Sequence, residues 1–133
     1  IKEFLYRVYS KIIDYQNKEI EGESPDYSKA ILRYIKQYYQ KEIDFEQLAK
    51  DIGISYSYAR KIVKEKTGKS LIDNLNQVRI EEAKLLLEQT EMTVNEISIA
   101  VGYNSVQSLY RFFKKYEGVS PSDYKASIAN SDT

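Results

Sequence analysis

Ser57, Arg60, Lys61 and Lys64 stand at offsets i, i+3, i+4 and i+7, and Gln107, Tyr110, Arg111 and Lys114 repeat those offsets fifty residues later. At 3.6 residues per turn such positions fall on one face of a helix. Both sets are polar and basic, and neither contains a carboxylate. A helix face that is merely solvated mixes acids with bases, as Glu81, Glu82 and Lys84 do. The chemistry open to an acid-free row of Arg, Lys, Gln and Ser is recognition rather than bond making. Arg, Lys and Gln can pair with base edges, and Lys with phosphates.

Other chemistries are restricted by what the chain lacks. There is no histidine and no cysteine among its 133 residues. Disulfides, Cys/His zinc sites and Ser–His or Cys–His pairs are thereby excluded. An enzyme would need a carboxylate pair or a metal cluster, and the acids are scattered along helix surfaces. No catalytic residue, metal or cofactor is therefore expected. Net charge is zero, but its distribution is uneven. Residues 1–26 carry four bases and six acids (−2), against sixteen and fourteen (+2) over 27–133. Tyr56–Ser70 holds Arg60, Lys61, Lys64, Lys66 and Lys69 against Glu65 alone, and Tyr103–Tyr116 holds Arg111, Lys114 and Lys115 with no acid. Local fields of this kind matter more for a polyanionic partner than the total. Lys66 and Lys69 read either as phosphate clamps or as solvated lysines, and Tyr110 either as a flank residue or as a base contact.

The elements that must position these side chains are themselves duplicated. "LAKDIGISYSYARKIVKEKTG" (Leu48–Gly68) and "ISIAVGYNSVQSLYRFFKKYEG" (Ile97–Gly118) each hold an apolar-studded run and a glycine followed by an apolar residue. A Ser/Asn pause, a basic amphipathic run and a closing glycine follow in both. Gly53 and Gly102 lie 49 apart, and Gly68 and Gly118 lie 50 apart. This is a helix–turn–helix pattern written twice, at about 44–68 and 93–117. Ala59, Ile62 and Val63 face inward in the first repeat, and Leu109, Phe112, Phe113 and Tyr116 in the second. Thr93 with Glu96 predicts a capping box, and Asp44 with Gln47 is a weaker version. Ser70 with Asp73, and Ser120–Pro121 with Asp123, open the helices that follow each repeat.

Between the repeats one helix is expected over about Leu71–Glu88, its apolar residues on more than one face so that a lobe can pack at each end. Eighteen residues at ~1.5 Å each span ~27 Å. With half a lobe added at each end, the two basic faces come within reach of successive major grooves, ~34 Å apart on one face of B-DNA. An earlier helix is expected over Asp26–Lys41, with Ile31, Ile35 and Tyr38 inward and Ser24–Pro25 as its cap and first residue. Residues 1–24 read as a linker helix from an upstream regulatory region. The stripe Ile1, Leu5, Val8, Ile12 and Tyr15 suits either packing on the domain or a dimer seam. No apolar run approaches the ~18–20 residues of a membrane span, and no signal-peptide pattern is present. The lack of cysteine is compatible with a reducing cytosol, and a cytoplasmic protein is expected. The chain opens on Ile1 rather than Met, as a piece of something longer would.

The motifs "IVKEKTGKS" (Ile62–Ser70), "RIEEAKLLL" (Arg79–Leu87), "ISIAVGYNS" (Ile97–Ser105) and "YRFFKKYEGVSPSDYK" (Tyr110–Lys125) resemble the DNA-binding domain of the AraC-type transcription regulators of bacteria. The resemblance runs in register from about Tyr27 to Ala126. It implies an all-α domain over residues 25–133, with seven helices in two helix–turn–helix subdomains joined by a long central helix. It implies base contacts from Ser57, Arg60, Lys61, Gln107 and Arg111. Lys64, Lys66, Lys69, Ser105, Lys114 and Lys115 would then meet phosphates. The implied partner is double-stranded DNA, with RNA polymerase joining at a promoter, and the chain itself a monomer or weak dimer. Val63 and Ala59 depart from the family, which commonly has phenylalanine and leucine there. A helical adaptor for acidic proteins remains an alternative, although it would not need the duplicated spacing. Single-stranded or RNA binding would favour aromatic side chains on exposed sheets and flexible basic tails, neither of which is evident.

Overall fold

The computed structural model describes residues 25–131. The apolar stripe from Ile1 to Tyr15, and with it the linker helix expected over residues 1–24, lies outside them. Among the described residues there are seven α-helices and no strand. They are α1 (Tyr27–Tyr38), α2 (Phe45–Asp51), α3 (Tyr56–Thr67), α4 (Leu71–Gln89), α5 (Val94–Ala100), α6 (Val106–Glu117) and α7 (Pro121–Ser131). The chain divides into two compact units. One comprises residues 25–38 with 43–74, the other 39–42 with 75–131.

The first unit is built from α1, α2, α3 and the first turn of α4. Its core draws Ile31 and Ile35 from α1, Phe45, Leu48 and Ala49 from α2, and Ala59 and Val63 from α3. The two residues that depart from the family pattern, Ala59 and Val63, are both fully buried. The cap of α1 corrects the sequence expectation. Pro25 stands outside the helix, and the Asp26 carboxylate accepts from the Lys29 amide at 3.0 Å and from Ser28 Oγ at 2.6 Å. A side-chain oxygen just before the first turn satisfies otherwise orphaned amides, and with the helix opening at Tyr27 that place falls to Asp26. The expected cap, Ser24, lies outside the described residues. Helix α1 also stops at Tyr38, short of the expected Lys41. Tyr38 is half-buried rather than a core residue, its ring centroid 4.7 Å from that of Tyr34.

The second unit packs α4, α5, α6 and α7 around Ile80, Ala83, Leu87, Ile97, Val101, Leu109 and Phe113. Phe113 is completely buried, with the Tyr124 ring edge-on to it at 5.5 Å. Truncating such a phenylalanine ordinarily costs about 3–5 kcal/mol. Helix α5 opens with the reciprocal capping box of Thr93 and Glu96, and Ser120 caps α7 through the Asp123 amide at 3.1 Å.

Residues 39–42, which follow α1 in the chain, belong to this second unit. The Arg79 side chain is buried, and its Nε donates to the Tyr39 carbonyl at 2.8 Å and its Nη2 to the Lys41 carbonyl at 3.0 Å. Burial draws the Arg79 pKa down, yet a guanidinium stays charged at any ordinary pH. Residues 39–42 are thereby tied to α4 as a strap. Gly102 passes directly against it. A Cβ there would lie 2.6 Å from the Tyr39 oxygen and 3.0 Å from Arg79 Nε, at a φ of +106° that already disfavours any side chain.

Candidate nucleic-acid interface

Each helix–turn–helix is closed by the same local hydrogen bonds, which is why the two basic faces share one frame. In the first turn the Gly53 amide donates to Lys50 at 3.1 Å and the Ile54 amide to Ala49 at 3.0 Å. In the second, Gly102 donates to Ile99 at 3.1 Å and Tyr103 to Ser98 at 3.0 Å. This is the Schellman arrangement, with glycine in the left-handed position and an apolar residue after it. The "glycine followed by an apolar residue" of both repeats is its sequence signature.

Helices α3 and α6 then begin and end alike. Ser55 caps α3 by accepting from the Tyr58 amide, and Ser105 caps α6 by accepting from the Ser108 amide. Gly68 and Gly118 close them in the left-handed conformation, their amides bonded to the Lys64 and Lys114 carbonyls at 2.8 Å. Lys64 and Lys114 therefore occupy equivalent last-turn positions, where a cation also complements the helix dipole.

Side chains follow from that frame. On α3, Ser57, Arg60, Lys61 and Lys64 are exposed, while Ala59 and Val63 are buried on the opposite side. With Tyr56, Ser70, Leu71 and Ile72 these four line a groove of about 710 Å³. The Arg60 guanidinium rests 5.6 Å from the Tyr56 ring centroid. On α6, Gln107, Tyr110, Arg111, Lys114 and Lys115 are exposed, and Leu109 and Phe113 are buried. The Arg111 guanidinium lies 4.7 Å from the Phe112 ring centroid. The acid that ends α6, Glu117, is taken up by Lys84 at 2.8 Å, and this bond raises the Lys84 pKa. The exposed row of α6 keeps its positive sign.

Four residues are engaged in ways the spacing did not indicate. Lys66 Nζ pairs with Asp26 Oδ2 at 2.7 Å within the first unit. Ser105 Oγ is occupied in capping α6 and lies 3.1 Å from Ser108 Oγ. The Tyr110 hydroxyl shares a hydrogen bond of 2.7 Å with Ser122 Oγ of α7, which holds the ring along the flank of α6. Lys69, at the α3–α4 junction, is half-buried. There Asn74 Nδ2 donates to Thr67 Oγ1 at 2.9 Å and to the Lys69 carbonyl at 3.2 Å.

The supporting residues that the spacing missed are Arg79, Tyr103 and Asn76. Tyr103 Oη donates to Asn76 Oδ1 at 2.7 Å, and burial pushes the phenol pKa well up. A signal for Arg79 does exist. It stands four residues from Leu75 and four from Ala83, both buried, so a lone cation sits within an apolar row of α4. Among the described residues no group of three or more potential ligands could hold a metal ion, and no helix is long and apolar enough to cross a membrane.

Fold and site together define a tandem helix–turn–helix domain. Residues 48–127 match the family model described as a helix-turn-helix domain. The chain is 29% identical over 130 residues to the Msm operon regulatory protein of Streptococcus mutans, covering 95% of this chain and 47% of that protein's length. The chain thus spans less than half of this relative. Among solved structures it resembles the C-terminal domain of AraT, a response regulator from Geobacillus stearothermophilus. The TM-score is 0.73 at 30% identity, over 77% of this chain and 85% of that one. The DNA-binding domain of AdpA, a global transcriptional factor solved in complex with a target DNA, shares the fold. Its TM-score is 0.73 at 23% identity, over 78% of this chain and 94% of that one. The chain belongs to the AraC-type helix-turn-helix family.

Proposed function

We propose that this domain binds double-stranded DNA in a sequence-specific manner and regulates transcription, α3 and α6 each entering a major groove. The observation that carries this reading is the repeated frame. Two helices with identical caps and identical closing glycines present acid-free basic rows at the same four positions. Ser57, Arg60 and Lys61 on α3, and Gln107 and Arg111 on α6, are the base readers. Arg111 and Lys61 are equivalent positions, and either can meet guanine N7 and O6, Arg in bidentate fashion. Lys64, Lys69, Lys114 and Lys115 supply phosphate contacts. Lys66, paired with Asp26, would join them through its remaining donors, and Ser105 contributes from the N-terminus of α6, whose free amides favour an anion. The names of the relatives support the regulatory part; RNA polymerase as a partner at a promoter, and the cytoplasm as the compartment, belong to the same proposal.

The test is selection of bound duplexes from a random pool by the chain, followed by salt titration of the winners. Enrichment of a two-part, asymmetric site is expected, because the α3 and α6 rows differ chemically, together with a steep loss of affinity as salt rises. A pool that stays random, or binding that ignores salt, overturns the reading.

A further inference from the structure

The base-reading assignment leaves Arg111 with a difficulty that its surroundings resolve. An exposed arginine has many rotamers, and ordering it on a base costs entropy. In this structure the guanidinium already lies over the Phe112 ring, 4.7 Å from its centroid. Phe112 in turn stacks on Tyr103, with centroids 5.7 Å apart and planes inclined by 11°. Behind Tyr103 stands the buried Arg79, its guanidinium 5.2 Å from that ring. Neither end of Tyr103 is loose, because its hydroxyl is held by Asn76 at 2.7 Å. The contacts run without a break from a buried cation to the exposed one, and every member belongs to the second unit.

We infer that the stacked pair Tyr103–Phe112 is a platform that pre-orders the Arg111 guanidinium, so that Phe112 is a positioning residue for base discrimination by α6. The inference rests on the reading of Arg111 as a base contact. Cation–π attraction fixes the plane of a guanidinium without consuming its hydrogen-bond donors, which stay available for a base edge. Phe112 is only partly buried, so its outer surface is accessible to such a contact. A turn residue of the second helix–turn–helix, Tyr103, thereby acts on a side chain in the exposed row of α6.

The experiment uses the whole chain with Phe112→Leu and Phe112→Tyr, and Arg111→Ala as reference. Two quantities are read: the side-chain order of Arg111 in the free protein by ¹⁵Nε relaxation, and discrimination between a selected duplex and its single-base variants. Thermal melts check that each variant folds. Phe112→Leu should lower the Arg111 order and reduce discrimination by about two- to fivefold at the base position that Arg111→Ala relaxes, the factor an exposed cation–π contact is worth. Phe112→Tyr keeps a ring and should restore both. Unchanged Arg111 order in Phe112→Leu overturns the platform whatever the DNA result. Lowered order combined with an Arg111→Ala variant that discriminates normally at every position leaves the platform in place but removes its role in reading DNA. That second outcome traces the failure to the function assigned to Arg111.

Discussion

Lys66 Nζ lies 2.7 Å from Asp26 Oδ2, joining residues forty apart in sequence, and the same carboxylate caps α1 through the Lys29 amide. Partial burial alone would raise the Asp26 pKa. The bonds from Lys66, Ser28 and the Lys29 amide outweigh it and bring the value down to about 2. A carboxylate lowered in the folded state contributes stability that is present above its unfolded pKa, near 3.8, and is lost as pH falls toward about 2. Both side chains are more than 40% exposed, so solvent screening keeps the ion pair itself below ~1 kcal/mol. Asp26→Ala should cost about 1 kcal/mol at pH 7 through the lost cap, and Lys66→Ala less. Urea melts between pH 2 and pH 6 check this. The difference between wild type and Asp26→Ala should shrink below pH 4, and a constant difference would contradict the assignment.

Gly53 and Gly102 hold equivalent turn positions but are not equivalently replaceable. A Cβ at Gly53 meets nothing within 4 Å, whereas at Gly102 it meets the Tyr39 carbonyl and Arg79. Gly53→Ala is expected to lose about 1–2 kcal/mol from left-handed backbone strain. Gly102→Ala should lose a further ~1–3 kcal/mol from overpacking. Equal losses in chemical denaturation would mean that the strap of residues 39–42 gives way freely.

Arg79→Met retains much of the side-chain volume but leaves the Tyr39 and Lys41 carbonyls without their donor. Both bonds are partly buried and come from a charged donor, and such a bond is worth about 1.5–3 kcal/mol, so a loss of several kcal/mol is expected. Arg79→Lys should fall between, since one ammonium cannot reproduce the planar fork. Differential scanning calorimetry on the three proteins decides, and a methionine variant as stable as wild type refutes the role given to the buried cation.

Lys114 and Arg111 stand on one exposed row and should fail differently. Lys114→Ala is expected to weaken selected and random duplexes by similar factors and to lower the salt slope by about one unit. Arg111→Ala should cost about 1–3 kcal/mol on the selected duplex and relax one base position. Binding isotherms against salt for both duplexes separate the two. A Lys114→Ala loss confined to the selected site would reverse its assignment.

Tyr110 occupies the position equivalent to Arg60, yet its hydroxyl is bound to Ser122. Tyr110→Phe should therefore lower stability by no more than about 1 kcal/mol, a single exposed hydrogen bond, and leave every base preference intact. A shifted preference in repeated selection would show that the phenol reads DNA after all.

Most of the helices, the Thr93–Glu96 cap and the two basic rows were legible from the sequence because they depend on partners within a few residues. The Thr93–Glu96 box and both glycine turns close over three to five residues. The apolar faces of Ala59 with Val63 and Leu109 with Phe113 follow from helical period alone. What the sequence could not determine involves residues nine to forty apart. The bond from Arg79 to the Tyr39 carbonyl joins residues forty apart. The company of Lys66 and the anchoring of Tyr103 by Asn76 are contacts of the same long-range kind. A charged side chain pays a large desolvation cost inside a protein, so its type argues for the surface. Only the tertiary structure supplied the two backbone carbonyls that make the buried place of Arg79 tolerable, and the ring beneath Arg111 gained its support in the same way.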